Sequence, residues 1–162
     1  MGVDELAFAL TFLAALGCGL VGGIFFAFSN FVMRALARIP TERGISAMQS
    51  INVVVLNPVF LTIFVGTAVA CLLLAAWSLL SWQRPGAGFV LAGSALYLVG
   101  NLWVTRARNV PLNDALARVD ANSAAAAAEW SRYVRDWTFW NHVRTITALA
   151  AAASLTVALT RS

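Results

Sequence analysis

Between Trp130 and Arg144 the chain reads Trp-Ser-Arg-Tyr-Val-Arg-Asp-Trp-Thr-Phe-Trp-Asn-His-Val-Arg, its densest run of side chains able to do chemistry. At helical spacing Trp137, Trp140, Asn141 and Arg144 stand at i, i+3, i+4 and i+7, on one face of one helix. Trp130 and Tyr133 carry that face back by two turns. Indoles offer flat walls, an amide both donates and accepts, and a guanidinium is a fixed cation with planar donors. Together they suit a flat molecule carrying a hydroxyl or an oxyanion. Arg144 lies about two turns beyond Trp137, in a stretch turning apolar, where an unpaired charge is costly. Two readings stay open for it: an oxyanion-binding group, or an arginine reaching back to head groups or a carbonyl. His142 sits about 100° around from Asn141. It is a candidate base or a solvated side chain.

Composition says what kind of scaffold carries this stripe. Of 162 residues 60% are hydrophobic and 11% charged, and the mean hydropathy is +0.79. Soluble domains carry about 25% charged residues. The deficit, with several long apolar runs, argues for an integral membrane protein with room for one bundle. The net charge of +4 comes from arginine alone. In a soluble protein such a balance would suggest nucleic acid; here the positions of the arginines beside apolar runs assign them to the membrane interface instead.

Four spans are expected, since ~20 apolar residues cross a bilayer: about 5–33, 58–82, 88–104 and 137–159. The first opens on Asp4 and Glu5 with no basic region before it, so a cleaved signal peptide is not expected. Ala15, Gly19, Gly23 and Ala27 recur every fourth residue, a small-residue ridge for close helix approach, through which a homo-oligomer could also form. Thr41 can cap a short amphipathic helix through Ile45, Met48 and Ile51, and Asn57-Pro58 is a helix-start signal. Trp77 and Trp82 suit an interfacial belt. Gln83-Arg84-Pro85-Gly86 is a tight connection between antiparallel neighbours. In the third span Tyr97 and Asn101 share a face with Gly93 and Gly100 and look into the bundle. Asn101 there bonds a neighbouring helix or a ligand. The polar stretch 105–136 contains the segment Asn109 to Asn113 as a loop, and then a helix entered near the alanine run at 124–128. The fold expected is all-α: an up-down-up-down membrane bundle of four helices, one domain over 1–162, with short cytoplasmic amphipathic helices. Most arginines come after the first and third spans, which places both loops in the cytoplasm and both termini outside the cell membrane.

Cys18 and Cys71 lie in apolar runs and read as small buried hydrophobes. One histidine and no acidic pair within a span leave no ligand set for a haem or di-metal site. No glycine-rich nucleotide loop or nucleophile elbow occurs. Asp114 and Asp136 are expected to pair with nearby arginines. No metal and no cofactor is expected.

Two segments, Asn109-Val-Pro-Leu-Asn113-Asp-Ala-Leu116 and Trp137-x-x-Trp140-Asn141-x-x-Arg144, resemble the anthrone oxygenase-like family of small four-span membrane proteins. The glycine-rich first span and the length extend the resemblance over nearly the whole chain. It implies oxidation of an anthrone or related phenolic polycycle to a quinone by O2 without metal or flavin. On that implication Arg144 stabilises an oxyanion, Asn113 and Asn141 orient it, and Trp137 and Trp140 form flat walls. His142 accepts the proton, and Asn109, Tyr97 and Asn101 complete the binding set. The alternative is a non-catalytic membrane protein holding a lipid, quinone or partner helix at the same mouth. A transporter is weaker, since no inverted repeat or charged mid-membrane cluster is visible.

Overall fold

The computed structural model describes residues 2–161. Four helices are long and apolar enough to cross a membrane: α1 (Val3–Leu36), α3 (Pro58–Leu80), α4 (Ala87–Ala117) and α5 (Ala126–Leu159). A shorter amphipathic helix, α2 (Thr41–Val54), joins α1 to α3. Each start has a local cause. Gly2 donates its N–H to the Glu5 carboxylate at 3.0 Å, and Asp4 and Glu5 place acidic charge at the positive end of α1. Asn57 caps α3 through Oδ1, which accepts from the Phe60 N–H at 3.0 Å, with Pro58 at the first helical position. Gly86 begins α4 from a left-handed conformation, φ 82°, that a side chain would strain. Thr41 does not cap α2. The residue before the helix is Pro40, and Thr41 is its first helical residue.

In cross-section α1 and α4 each touch both α3 and α5, so the four helices close into a square. The Asp4–Arg84 ion pair and the packing of Gly86 on the Ala158 carbonyl bring the start of α1, the α3–α4 connection and the end of α5 to one end. Up-down-up-down order results. The bundle core holds Cys18, Val21, Cys71, Leu74, Tyr97 and Leu155, all at most 1% exposed. Leu6, Leu13, Leu72, Leu80 and Ile146 turn outward, as helices in lipid require.

Close approach uses glycines other than most of the expected ridge. A Cβ on Gly22 would stand 2.9 Å from Leu149, and one on Gly93 would stand 2.8 Å from Leu155 and 3.1 Å from the Ala151 carbonyl oxygen. Gly19 and Gly23 have nothing near them within the described chain. The reason is helical period: residues four apart advance about 40° per step, so such a row walks off the contact face.

At the far end a second apolar cluster of Met33, Ile45, Met48, Leu116, Trp130, Tyr133 and Trp137 binds α2 to the bundle. Gln49 reinforces it, donating to the Leu116 and Val119 carbonyls at 2.9 and 3.1 Å and so closing the end of α4. Where the third span is expected to end near Val104 and a loop to follow at Asn109 to Asn113, α4 instead continues to Ala117 through two widened π-type segments, Leu98–Trp103 and Thr105–Asn109. Pro111 lacks an N–H and cannot continue a regular turn, and the wider turn before it accommodates this. α1 has a third such segment at Phe28–Val32.

Candidate functional site

Beside α2 lies one cavity of about 320 Å³, bordered by two of the three π segments: Phe28–Val32 gives it Phe28, Thr105–Asn109 gives it Thr105 and Asn109, and Leu98–Trp103 gives it nothing. That volume lies at the small end of about 300–1,000 Å³ for small-molecule sites. Phe25, Phe28, Phe60, Phe64 and Trp137 form its aromatic walls. Arg144, Thr105, Asn109, Asn113, Asp114, Gln49 and Asn52 supply its polar groups.

Arg144 is 4% exposed. Its Nη1 donates to Thr105 Oγ1 at 3.2 Å and its Nη2 to Asn141 Oδ1 at 2.7 Å. The guanidinium carbon stands 4.0 Å from the centre of the Phe25 ring and 5.2 Å from that of Trp137. Every one of these partners is neutral, and among the described residues no carboxylate pairs with it. Its Nε, like Asn109 Oδ1, is buried with no hydrogen-bond partner. Such orphans are rare and mark strained or functional places.

Asn141 explains how the arginine is held. Fully buried, it donates Nδ2 to the Phe25 carbonyl at 2.7 Å and to Ser29 Oγ at 2.6 Å, while its Oδ1 receives Arg144. The π segment of α1 presents Ser29 for this contact. Asn141 is thus spent on positioning and stands behind the cavity wall. Asn113 is an acceptor hub: its Oδ1 receives the Tyr133 hydroxyl and Trp137 Nε1, each at 2.9 Å. Asn109 Nδ2 donates to the Trp137 carbonyl at 3.3 Å. The stacked rings of Trp130, Tyr133 and Trp137, with centroids 5.7 and 6.3 Å apart, brace this wall along α5.

Of the residues singled out from sequence, Arg144, Trp137, Asn109 and Asn113 border the cavity. The others do not. Trp140 is half-buried, under the guanidinium of Arg108 at 4.7 Å. His142 is exposed on a flank of α5, because one residue past Asn141 turns the helix by about 100°. Tyr97 lies in the bundle core, donating its hydroxyl to the Phe64 carbonyl at 3.0 Å. Asn101 is fully buried beside Thr147 Oγ1 at 3.2 Å; with its amide turned end for end it also donates to the Arg144 carbonyl and accepts from the Ala148 N–H. It joins two helices below the site.

Sequence reasoning missed the contributions of Phe25, Phe28, Asn52 and Thr105, which become neighbours only through the fold. It also misjudged Asp114. Asp136 pairs with Arg135 at 2.8 Å as expected, but Asp114 makes no ion pair among the described residues and is the cavity's one bordering carboxylate. Among the described residues no group of three or more His, Cys, Asp and Glu could hold a metal. A smaller hollow of about 220 Å³ at the other end is bordered by Trp77 and by Arg84, which pairs with Asp4.

The sequence model of the family described as Anthrone oxygenase matches residues 59–154, more than half of the chain. The match takes in α4, nearly all of α3 and α5 as far as Ser154, and so includes Asn109, Asn113, Trp137 and Arg144. No curated protein and no solved structure matches.

Proposed function

This chain belongs to the anthrone oxygenase family, and from that premise we propose that its cavity oxidises an anthrone-type or related phenolic polycyclic substrate to a quinone with O2. One observation carries the reading: Arg144 is a buried guanidinium without a counter-anion, set in the wall of an aromatic-lined cavity. Removing a charge from water costs several kcal/mol unless an opposite charge offsets it. Neutral partners and two ring faces offset part of that. A ligand whose polar oxygen gains negative charge during reaction supplies the rest, and it does so most strongly when the charge is fully developed.

The reaction begins at the anthrone methylene. Its C–H bond breaks, the electron pair moves into the ring system, and the carbonyl oxygen becomes an oxyanion facing Arg144. The proton passes to the Asp114 carboxylate, which borders the same space. The electron-rich anion reacts with O2 to form a carbon–oxygen bond and, with the returned proton, a hydroperoxide. Loss of water leaves the quinone, so one O2 is consumed and one water released per substrate. Trp137 and Phe25 hold the ring plane, Asn109 and Asn113 present amides at its edge, and Asn141 fixes the arginine. The dry aromatic walls strengthen each polar contact.

Oxygen consumption by purified, metal-stripped protein with dithranol tests the reading. The expected result is equimolar O2 uptake and anthraquinone formation above the spontaneous rate. Tight binding of the anthrone with no acceleration of uptake would leave a binding protein and remove the oxygenase.

A further inference from the structure

The cavity has a mouth, and its lips differ. Of its bordering residues Val53 and Leu56 are 73% and 63% exposed, and across from them Asp114 and Ala117 of α4 are also exposed. The opening therefore lies between the elbow joining α2 to α3 and the last turns of α4. The elbow is apolar but for Asn57, whose amide is bonded within it, donating to the Val54 carbonyl and accepting from the Phe60 N–H, each at 3.0 Å; Val54 and Val59 beside the lip are 66% and 71% exposed. No charged residue occurs between Arg43 and Arg84. The charges of α2, Glu42 and Arg43, sit in its first turn, and its final turn carries none. In water such a tip would be a contiguous apolar patch of the kind soluble surfaces avoid. At a membrane it is the end of an interfacial helix that slopes inward from its charged start. Opposite, Asp114 and the neighbouring Arg118 form a polar lip suited to the head-group region. Arg108 stacked on Trp140 marks the same level on α5's side.

We infer that the elbow is embedded in the bilayer leaflet and that the cavity opens laterally into it. The ligand is a flat, uncharged aromatic molecule with an oxygen function, taken up from lipid rather than from water. Such a molecule concentrates in the apolar phase. It slides past Val53 and Leu56 with its rings leading, and only inside meets Arg144. Asp114 stays at the wet lip, where a proton it accepts can exchange with the aqueous side. The inference needs no turnover, so it stands or falls separately from the oxygenase reading.

Nitroxide labels test the elbow in phosphatidylcholine vesicles, placed through Val54→Cys, Val59→Cys and, as a water-side control, Asp120→Cys. The native Cys18 and Cys71 are buried and stay unlabelled. Collision with oxygen is expected to exceed collision with a neutral nickel chelate at 54 and 59, and the order should reverse at 120. Nickel collision dominating at 54 and 59 would overturn the embedding. The lateral route is tested with 1,8-dihydroxyanthraquinone as the free ligand. Its competitor is a phosphatidylcholine bearing anthraquinone at the end of one acyl chain. Displacement of the free compound by the tethered one is expected. Failure to displace a bound free compound would rule the lateral route out, and failure of the free compound to bind would overturn the ligand class.

Discussion

On the proposed reading Arg144 and Asp114 divide the work at the residue scale, one deep and held by neutral groups, the other at the mouth and without an ion pair among the described residues. Arg144→Lys keeps the charge but loses the planar fork that meets Thr105 and Asn141 together. Anthrone-dependent O2 uptake should fall about a hundredfold, the scale on which a lost oxyanion donor is felt. Asp114→Asn should lower kcat roughly a hundredfold or more with little change in KM, as loss of a general base does. His142→Ala should leave both constants unchanged, and a collapse of kcat there would return the proton to the histidine. The stripe was legible in sequence because burial on a helix obeys its period: Trp137, Asn141 and Arg144 fall together as spacing requires. What spacing could not divide was the front of that face from its back. Asn141 faces Phe25 and Ser29, residues more than a hundred positions earlier, and nothing local announces the contact.

At the scale of elements, the π segments Phe28–Val32 and Thr105–Asn109 help set which side chains meet the cavity. Each inserts a wide turn that rotates the helix beyond it, as such bulges do at functional sites. The first presents Ser29 to Asn141 and the last carries Thr105 and Asn109 to the wall. Asn141→Ala removes the tie across α1 and α5 and leaves the Phe25 carbonyl, Ser29 and Arg144 short of a partner. Stability should drop by about 1–3 kcal/mol, read as a lower Tm in detergent, with activity falling further than the Tm shift alone explains. Gly93→Val should destabilise by a similar ~1–3 kcal/mol through overpacking on Leu155. These segments were invisible in the sequence, where Thr105 to Asn109 reads as the start of a polar loop. Polar composition signalled surface, whereas a neighbouring α5 covers Asn109 and keeps the segment helical. Asn57-Pro58, by contrast, was fully legible, because a cap is a local contact between residues three apart.

For the whole molecule, hydropathy was enough to give an all-α four-helix membrane bundle, since in lipid each span must satisfy its own backbone. From the arginine distribution we propose an orientation with both termini outside and the cavity end in the cytoplasmic leaflet. Impermeant thiol reagents should label Val3→Cys in right-side-out vesicles and Asp120→Cys only in inverted ones. The opposite pattern would reverse the topology and put the cavity at the outer face. The two ends also differ in charge logic. At one, Arg84 is answered by Asp4; at the other, no carboxylate among the described residues pairs with Arg144.

Ionisation of a bound anthrone measures that difference without any oxidation. Under strict exclusion of O2, dithranol bound to the protein is titrated by the absorbance of its anion. With the anion as the missing partner of Arg144, the bound ligand should ionise at least ~1 pH unit below the free compound, about 1.4 kcal/mol of preferential anion binding. Arg144→Ala should abolish that shift. A bound anthrone that ionises no more readily than in water, or that does so equally well in Arg144→Ala, would contradict the role given to the buried guanidinium.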